Sequence, residues 1–495
     1  MARIENIETL TAEVFSDVLR ENWCKQDRNT NGKDNGFGPG AVNDRDTGPK
    51  VNVITATKVD QGVLSDVYRV HLDYEACGNQ GEEQQEQGRI EYVTKKSLDT
   101  SRTKIEHVST VAMPPADWLV KFCRSDLDLS WMIRNETIFY SHIAPEIIAN
   151  ATSESSSNHG SSPSQSLPFT IPKFLSGSDK HIIIQEVTNV KTYPLAEGCP
   201  PDKIDFLLKS LVAWHASCWE SKALLSHSSP SNYRGKSIEE DRLVFPMGMG
   251  QRLPPLQKEG LFISSWQETI DHMRLQDNQR DDKLLDTELL DFITKLCRRL
   301  STLKLRDIHE KVHSHRVTCV HGDYHISNWL FPMTTIADGG GKKERKPVLV
   351  DFATTGYGNP MIDLVFFIVV STNDETVSDS QLFLEKYYRL LIECDPNLSS
   401  KISLAALKEW FQWAVLCQFM ILVAYDGICR DIAEAEQDKQ KRESQIRHFY
   451  NVNRRMILAI RSIGNWDTIL STLETTTFQE RQEARIFCQN TALVI

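Results

Sequence analysis

Val320-His321-Gly322-Asp323-Tyr324-His325-Ile326-Ser327-Asn328-Trp329-Leu330-Phe331 is the stretch whose reading decides the fold, and Val348-Leu349-Val350-Asp351-Phe352 answers it downstream. Residues 317–320 read as a short apolar strand that breaks into a loop carrying His321, Asp323 and Asn328. Residues 348–350 read as a second apolar strand that delivers Asp351. Joined by a hairpin connection, the two strands would place Asp323, Asn328 and Asp351 at one end of a small sheet. Two carboxylates and a carboxamide make a hard oxygen site, which suits Mg²⁺ bridging phosphate oxygens.

Upstream of this centre the chain is mostly strand-like. Val51-Asn52-Val53-Ile54-Thr55, Val67-Tyr68-Arg69-Val70-His71-Leu72 and Asp117-Trp118-Leu119-Val120-Lys121-Phe122-Cys123 read as strands. A turn with one glycine, Gly62, separates the first two. Ile171-Pro172-Lys173-Phe174-Leu175 and His181-Ile182-Ile183-Ile184-Gln185-Glu186-Val187 read as a hairpin. Between them, residues 127–144 carry Leu129, Ile133, Phe139 and Ile143 at near-helical spacing and predict a helix that stops at Pro145. A helix is also expected from Thr11 to about Trp23. Polar insertions are expected near residues 25–50, 76–112 and 151–168.

The pattern changes after Pro200-Pro201. Ile204, Leu207, Leu208, Leu211, Trp214, His215 and Cys218 fall on one helical face, with His215 expected to pack in the core. Residues 289–300 and 404–425 also read as helices, and residues 333–346 as an exposed excursion between the two central strands. These readings predict an α+β chain of two lobes: an antiparallel sheet lobe over residues 1–187 and a larger, mainly helical lobe over residues 188–495.

The chain has 495 residues and a net charge of −11, which argues against a general nucleic-acid binder. Its 11 cysteines are scattered and form no Cys-x-x-Cys pair, so reduced thiols and a cytoplasmic location are expected. Residues 1–10 are polar and acidic, unlike a signal peptide. The most apolar run, residues 411–425, is too short to span a bilayer and is expected to be a buried helix. A monomer or weak homodimer is expected.

An Asp, an Asn five residues on, and a later Asp-Phe repeat the spacing of a kinase catalytic loop and its metal-binding aspartate. The chain resembles the aminoglycoside phosphotransferase and choline kinase group of small-molecule kinases, and looks closest to the ecdysteroid-kinase-like branch. The matching residues are His321-Gly322-Asp323 with Asn328, Val350-Asp351-Phe352, and Gly358-Asn359-Pro360-Met361-Ile362-Asp363-Leu364. Weaker matches are Lys121, Glu136, Gln185-Glu186-Val187 and Ala213-Trp214-His215-Ala216.

That resemblance implies a protein-kinase-like fold with ATP held between the lobes, and a hydroxyl of a small molecule as phosphoryl acceptor. Asp323 would be the base that orients the acceptor hydroxyl, and Asn328 and Asp351 would hold Mg²⁺. Lys121 would contact the α- and β-phosphates, braced by Glu136. Gly62 and Ser65 belong to the expected phosphate-covering turn, which departs from a Gly-x-Gly-x-x-Gly loop. Gln185, Glu186 and Val187 would form the hinge that meets adenine through its backbone. His321 would shape the loop, and Asp363 would brace its backbone or cap the following helix. Two other functions are open at this stage. A non-catalytic pseudokinase would bind without turnover. A metal-dependent hydrolase would be built on His313, His315, His321, Asp323 and His325, although the first two histidines precede the strand.

Overall fold

The computed structural model describes residues 51–61, 65–74, 117–123, 130–153, 167–178, 181–221, 261–277, 287–302, 312, 315, 317–333, 345–464 and 471. The expected helix at Thr11, the insertions near 25–50 and 76–112, Gly62 and residues 334–344 lie outside them. The chain divides into two compact units, Met1–Glu146 with Ile171–Val190, and Ile147–Thr170 with Lys191–Ile495.

The first unit is built on one antiparallel sheet in the order β1-β2-β3-β5-β4. Its strands are β1 (Val51–Gln61), β2 (Ser65–Tyr74), β3 (Asp117–Cys123), β4 (Phe174–Gly177) and β5 (His181–Gln185). Register places Lys121 opposite Val67 on one side and Ile182 on the other. Val70, Leu175, Ile182 and Ile183 are buried, and since the adjacent Ile182 and Ile183 point to opposite faces, the sheet is covered on both sides at β5.

Helical residues do not stop at Pro145. Helix Ser130–Ile138 passes through a π-turn, Phe139–Ile143, into helix Ala144–Ser153. The Ala144 N–H reaches back to the Phe139 carbonyl across the wider turn. Pro145 therefore falls in the first turn of the new segment, where a missing N–H costs little. Ile133, Phe139 and Ile143 are buried, and Tyr140 stacks on Phe174 at 6.0 Å.

β6 (Val190–Lys191) ends the first unit and begins the second. In the second unit the expected pairing of the two central strands is not what forms. β7 (Thr318–Val320) pairs with β10 (Gly356–Gly358), and β8 (Trp329–Pro332) pairs with β9 (Val348–Leu349). The 3₁₀ turn Ile326–Asn328 redirects the chain after the loop, so the hairpin partner of β9 is β8. Aromatic rings fill the space under these strands: Trp329 lies 5.8 Å from Tyr324, 5.6 Å from Phe206 and 5.3 Å from Phe169.

The remaining helices are Pro201–Ser217, Leu261–Asp277, Thr287–Thr302, Met361–Ser371, Asp374–Ser378, Ser380–Cys394, Leu404–Ala435 and Lys439–Ile463. Ser403 and Asp438 cap the last two by accepting from Ala406 N and Lys441 N. The Leu404–Ala435 helix corrects the length argument made from sequence. It has 32 residues, and its Leu404–Val423 stretch is long and apolar enough to cross a bilayer. Leu407, Phe411, Ala414, Val415, Leu416 and Phe419 are nevertheless buried in the protein. Inside this bundle Asp426 accepts from Thr269 at 2.9 Å and Asn453 at 2.6 Å and pairs with Arg430 at 3.0 Å, so its buried carboxylate is satisfied.

Candidate active site

The loop after β7 is held by its backbone. His321 N–H donates to Asp363 Oδ2 and Gly322 N–H to Asp363 Oδ1, both at 2.7 Å. Asp363 stands in the first turn of helix Met361–Ser371 and is wholly buried. His215 Nε2 lies 3.2 Å from Asp363 Oδ2, and Tyr387 Oη lies 2.8 Å from His215 Nδ1. A carboxylate only accepts, so Nε2 donates to Asp363. His215 is thus a brace for Asp363 as well as a core residue, a role 148 positions of separation hid from the sequence.

Gly322 has φ of +80°, and a Cβ there would meet the Thr354 carbonyl oxygen at 2.3 Å. Only glycine fits this turn. Thr354 and Thr355 hydroxyls both donate to the His321 carbonyl, at 3.1 and 3.3 Å.

His321 shapes the loop with both ring nitrogens. Nε2 donates to the Val350 carbonyl at 3.0 Å, and Nδ1 accepts from Asp323 N–H at 3.3 Å. That pattern requires a neutral ring, and burial pushes its pKa down accordingly. The bond to Val350 ties the loop to the residue before Asp351. Val350 N–H in turn donates to the Asn328 carbonyl at 3.0 Å. Asp351 has φ of +63°, a left-handed conformation uncommon outside glycine, asparagine and aspartate. Phe352 is buried with its ring 4.8 Å from His321.

His321 therefore bonds to Asp323 N–H and to the carbonyl of the residue before Asp351, and Asn328 bonds to the Asp323 carbonyl. Asn328 Nδ2 donates to the Asp323 carbonyl at 2.9 Å. Asp323 Oδ1 lies 3.3 Å from His325 Nε2. Burial alone would raise the Asp323 carboxyl, but the facing His325 ring and the Asn328 amide outweigh it and hold the group at about 2. Burial lowers His325, and the facing Asp323 carboxylate reverses this into a net rise. His325 was named from sequence only for a hydrolase; the signal that places it here is its position two residues after Asp323. Among the described residues the hydrolase arrangement does not form: His321 spends both nitrogens on the loop and His315 stacks 4.9 Å from Trp410, while His313 lies outside the described residues.

Residues expected at the nucleotide lie in the first unit. Lys121 is in the middle of β3 and Ser65 opens β2, with both side chains outside the described part. Glu136 is buried on helix Ser130–Ile138. Gln185 ends β5, followed by Glu186 and Val187. Arg69 holds the Glu186 carboxylate with Nε at 2.7 and 2.8 Å from its two oxygens.

A cavity of about 390 Å³ adjoins the loop inside the second unit, lined by residues 195–198, residues 372–375, Asn451 and Arg455. Ser371 links the two: its hydroxyl accepts from Ile326 N–H at 3.0 Å and its carbonyl from Cys199 N–H at 2.6 Å. His448 stands between them electrostatically. Burial first, then the Arg455 guanidinium and the His325 ring, push it down to about 4.

An antiparallel sheet followed by a mainly helical region that carries such a loop defines the protein-kinase-like class. The chain belongs to the Ecdysteroid kinase-like family, which matches residues 124–399. Among solved structures it is similar to a candidate aminoglycoside phosphotransferase from Ralstonia eutropha JMP134, with 10% identity, a TM-score of 0.34, and coverage of 90% of this chain and 98% of that one. It is also similar to an ethanolamine kinase from Plasmodium vivax, with 12% identity, a TM-score of 0.32, and coverage of 93% and 89%. No curated protein matches the chain by sequence.

Proposed function

We propose that this protein is an ATP-dependent phosphotransferase that moves the γ-phosphoryl group to a hydroxyl of a small molecule. The observation that supports the reading is the loop in which His321 bonds to Asp323 N–H and to the Val350 carbonyl, with Asn328 on the Asp323 carbonyl, in a chain of the Ecdysteroid kinase-like family. Asp323 is the base. Held at about 2, it is ionised throughout the physiological range, so it orients the acceptor hydroxyl by accepting its hydrogen bond and takes the proton late.

The oxygen chemistry of Asn328 and Asp351 is of the kind Mg²⁺ prefers, and these two residues would hold it. Asn328 gives its Nδ2–H to Asp323, which leaves the carboxamide oxygen as its donor to a cation, and Asp351 adds a carboxylate. Held by these residues, Mg²⁺ would supply charge neutralisation to the phosphates. Asp363, through the two backbone amides, keeps Asp323 in place. In the first unit, Lys121 with Glu136 would serve the phosphates, the Gly62–Ser65 turn would cover them, and Gln185, Glu186 and Val187 would hold adenine. The cavity beside the loop is of the size that small-molecule sites take and would receive the acceptor.

The test is incubation of the purified protein with Mg·ATP and a fractionated small-molecule extract. The expected result is ATP-dependent appearance of one compound heavier by a phosphoryl group, absent with Asp323→Asn. Turnover equal in that variant and the parent would overturn the reading.

A further inference from the structure

The two carboxylate oxygens of Asp323 are not equivalent. Oδ1 faces His325 Nε2 at 3.3 Å. Oδ2 is met among the described residues only by Asn328 Nδ2 at 3.5 Å, the outer limit of a hydrogen bond, because that amide gives its short bond to the Asp323 carbonyl at 2.9 Å. His325 is itself fixed. Asn328 N–H donates to its carbonyl at 3.1 Å, its ring lies 6.2 Å from Phe366, and only 9% of the residue is exposed. Since the carboxylate can only accept, His325 Nε2 is the donor.

A carboxyl group turns easily about its last torsion, so either oxygen of a free aspartate could meet a substrate. One fixed donor on Oδ1 removes that freedom before the substrate arrives, which is the preorganisation that speeds a transfer. We infer that His325 is a positioning residue for the phosphotransfer proposed above: by holding Oδ1 it makes Oδ2 the oxygen that meets the acceptor hydroxyl. In that step the acceptor O–H bond breaks and its proton goes to Asp323 Oδ2. The acceptor oxygen bonds to the γ-phosphorus, and ADP leaves with the electron pair of the broken P–O bond.

The experiment uses the full chain with His325→Leu and His325→Gln. Leucine removes the donor, whereas glutamine can return an N–H to a similar place. For His325→Leu the expected result is a fall in kcat on the order of 10- to 100-fold with the KM for ATP within about twofold. His325→Gln should recover a substantial part of the lost kcat. Unchanged kcat in the leucine variant, equal loss in both variants, or a loss confined to KM would overturn the inference.

A readout without activity runs beside it. The ¹⁵N-imidazole spectrum of the parent should show His325 protonated at Nε2 and hydrogen-bonded, and that resonance should move in Asp323→Asn. If the parent transfers no phosphate to any acceptor, the functional reading fails, and the spectrum still decides the pair. A His325 resonance indifferent to Asp323→Asn would overturn it.

Discussion

Gly322 N–H points at Asp363 Oδ1 from 2.7 Å, across 41 residues of sequence. The same carboxylate takes His321 N–H and His215 Nε2–H on its other oxygen. Asp363→Asn turns an acceptor of three donors into a group with donors of its own, facing N–H groups that have nowhere else to go. The expected cost is about 3–5 kcal/mol, seen in calorimetry as a melting temperature lower by roughly 5–10 °C. A melting temperature within two degrees of the parent's would remove Asp363 from this role.

Gly322→Ala should be nearly as harmful from a much smaller change. Its φ of +80° disfavours any side chain, and the new methyl would overlap the Thr354 carbonyl oxygen. Strain alone is worth roughly 1–3 kcal/mol. Urea unfolding should show a lower midpoint at unchanged slope, whereas an alanine variant as stable as the parent would contradict the turn geometry.

For Asp323→Asn the loss should be chemical. Turnover should fall by about 10²–10⁴-fold, the range for a lost general base, while Mg·ATP affinity by calorimetric titration stays within twofold. A matching loss of nucleotide affinity would mean that Asp323 holds metal instead of proton.

Acid should weaken the fold through His448. Its native pKa is about 4 against an ordinary 6.5, because the buried ring resists charge near Arg455 and His325. Below pH 6.5 the unfolded chain binds a proton that the native chain does not, so stability falls as pH drops towards 4. The full difference is roughly 3 kcal/mol. His448→Gln should flatten the slope of melting temperature against pH between 6.5 and 4, and an unchanged slope would assign the acid sensitivity elsewhere.

Chelation should separate activity from folding. Bonds to Asp363, Asn328 and His321 hold the loop. EDTA should therefore abolish ATP turnover and leave the melting temperature within about a degree. A large fall in melting temperature on chelation would show that a metal builds the site.

The sequence was most legible where local chemistry settles position. Strands β1 to β5 followed from alternation of Val, Ile and aromatic residues, and the loop between β7 and β8 followed from its place at a strand end. Pairing was less legible. β10 is Gly356-Tyr357-Gly358, too short and too glycine-rich to announce a strand, yet it takes the position beside β7 that residues 348–350 were expected to hold. Pro145 was a poor stop signal because a π-turn upstream moves it into a first helical turn. His215, Tyr387 and Asp363 meet from three separate helices, so nothing in the spacing of any one of them marks the contact.

Tyr387 sits at the far end of that chain of bonds. Its hydroxyl meets the ring of His215, which faces Asp363, which carries the loop. A change as mild as Tyr387→Phe leaves the ring packed and every residue around the reacting atoms in place. Its effect should therefore be conditional: near-normal behaviour in the cool and early failure on warming. Tyr387 is thus a natural place to look for a heat-sensitive allele.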